Sequence, residues 1–400
     1  MGTENFTRRR PGTNNKLLHN ACKIILVETI YWCSKMIKVF DHLKSFSHIE
    51  DEIMDALERV LYSGRLILGP ETEAFEEEFA AFCGARFCIA VSSGTSALHL
   101  ALVDLGIAPG DEVITVSNTC VPTIAAIRLT GALPLFVDVH HEDLTLDPEL
   151  IHARIGRRTK CIIPVHLWGQ SAMMDQIVSI ANHYGIAVVE DCSQAHGAKY
   201  KGRQVGTFGD TGCFSFYPTK NLGAYGDAGA IITQDFEIAQ RIKSLREYGY
   251  NTKKVSQIEG TNARMSEIQA AILRIKLNLL PAHLERRNEI ASIYTHKLTN
   301  PSIKCPPRYP DRLHAYHQYV IRCKNRGDIA DAFRAKDIEY GIHYPIPVHM
   351  MAAYSFLGGD TLSFPITETA CHEILSLPIH PYLSEDEIET VVHTLNQVTS

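Results

Sequence analysis

What the chain lacks narrows it first. It has no block of basic residues: Lys and Arg number 39 against 45 Asp and Glu, for a formal net charge of -6. Nothing in that balance calls for nucleic acid as a partner. The 11 cysteines are odd in number and scattered, without a C-x-x-C pair, which argues against a disulfide framework and a zinc site. Cys88, Cys161 and Cys213 fall inside apolar runs, where a free thiol behaves as a small hydrophobe. Reduced thiols of this kind fit a cytoplasmic protein. No internal repeat or low-complexity tract is present. The apolar run from Ile24 to Trp32 is too short to span a bilayer and carries Glu28, so no membrane role is expected. Arg8, Arg9 and Arg10 ahead of it imitate a signal peptide, but no small-residue cleavage site follows.

What is present is an ordinary globular composition, 45% hydrophobic and 21% charged. A length of 400 residues exceeds what one compact core usually accommodates, so two domains are expected. Ser47 and Glu50 have capping-box spacing, and helical apolar spacing runs from His48 to Leu61 before Ser63-Gly64. Apolar strands are then expected at 112–116, 133–137, 161–165, 187–190, 212–216 and 228–233. Helices are expected between them at 122–129, 148–154, 174–183 and 236–246. This alternation predicts an α/β fold with a mostly parallel sheet covered on both faces. A helical stretch from Ser266 to about Lys297 crosses Pro281, where a break and a domain junction are expected. Beyond it, a strand at 319–323 and helices at 329–336 and 385–397 predict a smaller α+β domain.

Three segments carry chemistry. Gly212-Cys-Phe-Ser-Phe-Tyr-Pro-Thr-Lys220 is an apolar strand that delivers one amine to the end of a sheet. Desolvation there lowers a lysine's pKa and frees a nucleophilic amine for Schiff-base chemistry. Cys88-Ile-Ala-Val-Ser-Ser-Gly94-Thr95-Ser96 is a strand, a small-residue turn and a helix start, where free N–H groups and the helix dipole favour an anion such as a phosphate. Gly185-Ile-Ala-Val-Val-Glu190-Asp191 ends a strand in a carboxylate, which can keep a pyridine nitrogen protonated. Taken singly, each has a plainer reading: a solvated surface lysine, a common N-cap, and a cap for the following turn. Their order, spacing and type together single out a site for pyridoxal phosphate.

The chain resembles the DegT/DnrJ/StrS family of sugar aminotransferases, which have the type I pyridoxal-phosphate fold. The resemblance runs from about Met36 to the C-terminus. It rests on Leu68-Gly-Pro-Glu-Thr-Glu, Ser-Ser-Gly94-Thr95-Ser96-Ala-Leu, Glu190-Asp191-Cys-Ser-Gln194-Ala-His196-Gly, Phe-Ser215-Phe-Tyr-Pro-Thr-Lys220-Asn, Gly260-Thr-Asn262-Ala-Arg264-Met-Ser-Glu267 and His343-Tyr344-Pro-Ile-Pro-Val-His349. It implies a large domain at 36–280 with a seven-stranded sheet holding one antiparallel strand, and a small domain at 281–400. Residues 1–35 are then an atypical extension upstream of a biological start at Met36.

The resemblance also implies roles. Lys220 binds the cofactor covalently and moves the proton, and Asp191 pairs with the pyridine nitrogen. Gln194 lies near the ring's phenolic oxygen, and Gly94, Thr95, Ser96 and Ser215 hold the phosphate. Asn262 reaches the phosphate from the neighbouring subunit, which makes the enzyme a homodimer with shared sites. Where relatives often stack an aromatic on the ring, this chain places Cys120, which covers less ring surface. Tyr344 and His349 belong to a motif beside the sugar nucleotide, whose form leans toward a 3-keto sugar, and His317 is read as packing. The implied reaction moves an amino group from L-glutamate to a nucleotide-linked keto-deoxysugar, leaving 2-oxoglutarate. Relatives with histidine in place of Lys220 are sugar dehydratases, so elimination chemistry is the alternative within the fold. A non-catalytic sugar-nucleotide binder is the alternative outside catalysis; it would need neither Lys220 nor Asp191.

Overall fold

The computed structural model describes residues 36–358 and 362–398. The expectations for the first 35 residues lie outside them. A seven-stranded sheet forms the centre, in the order Phe87–Val91, Gly229–Thr233, Thr211–Ser215, Ala187–Asp191, Thr159–Ile162, Glu112–Val116, Leu133–Val137. Gly229–Thr233 runs antiparallel to both neighbours and the other strands share one direction, as the resemblance implies. Glu112–Val116 and Gly229–Thr233 are buried at every position. Burial on both faces explains why these strands read as continuous apolar runs instead of alternating ones. One face packs around Leu98, Ile124, Ile127 and Ile242, and the other around Phe75, Phe79, Phe216 and Leu273.

The strand directions set the position of the site. Val91, Asp191 and Ser215 end their strands at the same edge, where the antiparallel strand begins at Gly229. The helix Gly94–Asp104 also starts there, directly after the Val91 strand. Ligands bind at this carboxyl edge in open α/β sheets.

In the C-terminal region, Ile303–Lys304, Tyr319–Cys323 and Ile374–Leu377 form an antiparallel sheet. Helices Arg326–Ala335 and Glu385–Gln397 accompany it around a core of Tyr294, Tyr319, Phe333 and Leu395. Among the described residues no helix is long and apolar enough to cross a membrane.

Three local expectations are corrected. The helix Glu267–Lys297 continues through Pro281 for 31 residues without the expected break. Leu273, Leu277, Leu280 and Leu284 bury one half of it, and Ile290, Ala291 and Tyr294 bury the other. That burial offsets the roughly 3 kcal/mol a helix-interior proline costs. Residues 148–154 form two 3₁₀ turns, Pro148–Leu150 and His152–Arg154, in place of the expected helix. The helix at Glu50–Ser63 is capped by Ile49 without a side-chain hydrogen bond. Ser47 instead closes the short helix His42–Ser47, and its Oγ donates to the Lys44 carbonyl at 3.0 Å.

Candidate active site

A cavity of about 390 Å³ opens at the carboxyl edge of the sheet. Ser93, Gly94 and Thr95 form one end of it. The Ser93 side chain caps the helix by accepting from Ser96 N–H at 3.1 Å, leaving the first N–H groups without partners inside the helix. Gly94 has to be glycine: a Cβ there would stand 2.6 Å from the Ser215 Cβ. Gly229 is under the same constraint, since its Cβ would meet the Ser93 carbonyl at 2.4 Å. The helix start, Ser215 and the antiparallel strand are therefore in direct backbone contact, forming a floor of small residues and N–H groups suited to a phosphate.

Asp191 forms the opposite end. Only 4% of its surface is exposed. Its Oδ2 accepts from Thr123 Oγ1 at 2.8 Å and its Oδ1 from Ser193 N–H at 3.1 Å. Thr119 Oγ1 lies 2.8 Å from Thr123 Oγ1, extending the chain of hydroxyls. These donors hold the carboxylate in place and stabilise its charge.

Lys220 lies on the wall between the two ends, in the turn after the Ser215 strand. That turn is fixed by Lys220 N–H donating to the Tyr217 carbonyl at 2.8 Å and by Asn221 Nδ2 donating to the Ala315 carbonyl at 2.8 Å. Among the described residues nothing hydrogen-bonds or ion-pairs the Lys220 amine. Burial lowers its pKa, opposed by the nearby Cys120 and Asp191. Gln194 spans the remaining side, accepting from Trp168 N–H at 2.8 Å and donating to the Tyr344 hydroxyl at 3.0 Å. Burial pushes the Tyr344 phenol up, with Cys120 the next cause.

A free, half-buried amine, a hydrogen-bonded carboxylate and a glycine-floored helix start are the three fixtures that pyridoxal phosphate requires, and the cavity holds all three. Residues 47–396 match the DegT/DnrJ/EryC1/StrS aminotransferase family. The chain belongs to that family. It is 45% identical over 362 residues to the dTDP-3-amino-3,6-dideoxy-alpha-D-galactopyranose transaminase of Aneurinibacillus thermoaerophilus, covering 90% of this chain and 99% of the relative. It is 44% identical over 352 residues to the erythromycin biosynthesis sensory transduction protein EryC1 of Saccharopolyspora erythraea, covering 88% and 96%. Among solved structures it matches S. venezuelae DesV, determined in complex with a ketimine intermediate, with a TM-score of 0.89 and 41% identity over 90% of this chain and 98% of that one.

Of the residues singled out in this family member's sequence, Gly94, Thr95, Cys120, Asp191, Gln194, Ser215, Lys220 and Tyr344 line the cavity. Cys120 caps the helix Val121–Leu129 there. The others do not. The Ser96 hydroxyl lies 2.9 Å from Ser92 Oγ and 3.0 Å from Ser93 Oγ, so the capping network takes it out of the cavity. Asn262 is exposed, is not among the residues lining this cavity, and accepts from Arg264 Nε at 3.1 Å. His349 is fully buried instead of facing a ligand: its Nδ1 lies 2.6 Å from Ser117 Oγ and its Nε2 3.4 Å from a Glu368 carboxylate oxygen. Its place in the motif reflects the docking of the segment after Pro347, where Val348 N–H donates to the Ser117 carbonyl at 3.1 Å.

Sequence reasoning missed Thr119, Thr123 and Ser193. The four-residue spacing of the two threonines at a helix start was the available signal. Behind the site, His166, Glu190 and Cys192 come together in the interior. His166 and Glu190 belong to a hydrogen-bond network: Glu190 accepts from His166 Nε2 and Gly206 N–H on one oxygen, and from Phe208 and Gly209 N–H on the other. Ala172 N–H donates to His166 Nδ1, which leaves the proton on Nε2.

Proposed function

We propose that this chain is a pyridoxal-phosphate-dependent aminotransferase that moves the amino group of L-glutamate onto a nucleotide-linked 3-keto-deoxysugar, releasing 2-oxoglutarate. The observation that carries the reading is the free, desolvated amine of Lys220 facing the same cavity as the hydrogen-bonded carboxylate of Asp191. When bound, pyridoxal phosphate supplies an electron sink for the carbon that loses its proton. The chain's own residues do the rest. Asp191 keeps the ring nitrogen protonated, with Thr123 and Ser193 N–H fixing the carboxylate. Gly94, Thr95 and Ser215 hold the phosphate. Gln194, itself oriented by Trp168 N–H, meets the phenolic oxygen. Lys220 Nζ takes the proton from the donor's α-carbon and later returns one to the sugar carbon.

The 3-keto position agrees with the product named for the A. thermoaerophilus relative and with the form of the Tyr344 motif. The homodimer with a shared site belongs to the same proposal, because Asn262 is exposed and outside its own chain's cavity. So does the division at about residue 280, which falls within one continuous helix joining two separate cores. A cytoplasmic site of action accords with free thiols at all nine described cysteines. The test is incubation with ¹⁵N-labelled L-glutamate and a panel of nucleotide ketosugars. Label in the sugar supports amino transfer, whereas label released as ammonia identifies elimination chemistry.

A further inference from the structure

The turn that carries Lys220 is closed by its own backbone. Ala224 N–H donates to the Phe216 carbonyl at 2.8 Å, and Lys220 N–H donates to the Tyr217 carbonyl at 2.8 Å. Gly223 packs against the start of the turn, where a Cβ would overlap the Pro218 carbonyl. Two side chains of the long helix Glu267–Lys297 hold this base from outside. Gln269 Oε1 accepts from Tyr225 N–H at 2.9 Å, and Lys276 Nζ donates to the Gly223 carbonyl. The two lie on one face of the helix, about two turns apart.

Lys276 Nζ also stands 4.8 Å from the centroid of the Tyr225 ring, whose face favours a cation. Lys276 and Lys220 border one small cavity of about 30 Å³. Lys276 is half-buried, and burial pushes its amine down to about 8 with no carboxylate opposing the shift. A charged donor makes a hydrogen bond roughly twice as strong as a neutral one.

The other titratable groups facing this amine keep one charge state near pH 8. Burial raises Asp41, but the Lys44 N–H bond and Lys38 more than offset it, so the carboxyl stays below its usual range and ionised. His42 is lowered by burial and by Lys276 itself. Burial lowers His283 and His380 to about 4, so the three imidazoles are neutral there. Burial leaves Arg287 charged, at about 10, and raises the phenols of Tyr225 and Tyr382. Lys220, lowered by burial as well, is engaged by the cofactor in the loaded enzyme.

We propose that Lys276 is a positioning residue for Lys220: its charged amine clamps the Gly223 carbonyl and so fixes the turn that presents the reacting amine. The inference rests on the reading of Lys220 as that amine. As pH rises through about 8, the clamp loses its charge and weakens to a neutral hydrogen bond. Global stability moves the other way. The folded value lies below the ordinary 10.5, so the stability contributed by this group rises between about 8 and 10.5. A turn that loosens while the fold gains stability separates a clamp from general unfolding.

The test is hydrogen exchange of the Ala224 amide in the cofactor-loaded protein, with amides of the helix Arg326–Ala335 as reference, alongside kcat across the same pH range. In the wild type, Ala224 protection is expected to fall about 3- to 10-fold relative to the reference as pH passes about 8, and kcat to fall with it. Lys276→Met should lower protection and kcat about 10-fold at neutral pH and abolish the step, with KM for the sugar unchanged. Lys276→Arg keeps a charged donor, so it should lose the step while retaining most of the neutral-pH protection. If Lys276→Met fails to fold, the wild-type profile and Lys276→Arg decide the question. Ala224 protection that tracks the reference amides across pH, or wild-type protection and kcat in Lys276→Met, overturns the clamp while leaving the aminotransferase reading intact. Normal turnover in Lys220→Ala overturns the role of Lys220, and this inference with it.

Discussion

Thr123 Oγ1 donates to Asp191 Oδ2 over 2.8 Å, across 68 residues of sequence, and so fixes the carboxylate at the end of its strand. Thr123→Val keeps the side chain's shape and removes that donor. Turnover is expected to fall about 10- to 100-fold with little change in KM for either substrate, the loss of one hydrogen bond to a charged group. Steady-state kinetics check this. Unchanged kcat would mean that Asp191 needs no support from this hydroxyl.

Lys220→Ala is expected to abolish proton movement at the reacting carbon and lower turnover at least roughly 100-fold. The folded protein should survive, since the amine makes no hydrogen bond or ion pair among the described residues. Circular dichroism and a coupled assay for 2-oxoglutarate separate the two effects. Substantial turnover in the variant would remove Lys220 from its role.

The pH dependence of stability follows from the same lysine. Burial depresses Lys220 below the ordinary value of 10.5, so in the cofactor-free protein the unfolded chain binds more protons at this position than the folded one. Stability from this group therefore rises as pH climbs from the folded pKa toward 10.5, and the full penalty applies below that window. Lys220→Met should raise the urea midpoint of the cofactor-free protein at neutral pH, with the gain shrinking toward pH 10.5. A gain independent of pH would point to packing in place of charge.

Gly94→Ala and Gly327→Ala form a contrasting pair. A Cβ at Gly94 falls 2.6 Å from the Ser215 Cβ, whereas one at Gly327 meets nothing within 4 Å. Gly94→Ala is expected to weaken pyridoxal phosphate binding by at least about 10-fold, because the helix start must move away from Ser215. Gly327→Ala, inside the helix Arg326–Ala335, should leave the cofactor alone and stabilise the fold by about 0.5–1 kcal/mol. Equal cofactor affinity in both variants would contradict the tight floor.

Much of this site was legible because its parts are short contiguous motifs. Lys220, Asp191 and Gly94 each follow an apolar strand, and parallel strands deliver their ends to one edge. Strands 112–116 and 133–137 were read with the bounds they have. The rest depends on contacts that sequence spacing does not carry. His349 meets Ser117 across 232 residues, and that contact turns a motif histidine into a buried strut. Pro281 reads as a breaker until the leucines and tyrosine packed on either side of it are counted.

The most direct test of the central claim is the absorption spectrum of the purified protein with pyridoxal phosphate, recorded before and after L-glutamate in the absence of sugar. The account predicts conversion of the bound cofactor to its pyridoxamine form with one equivalent of 2-oxoglutarate released per site, and recovery of the original spectrum on adding a nucleotide 3-ketosugar. A protein that binds the cofactor through Lys220 but leaves it unchanged with glutamate and every other amino donor would contradict amino transfer.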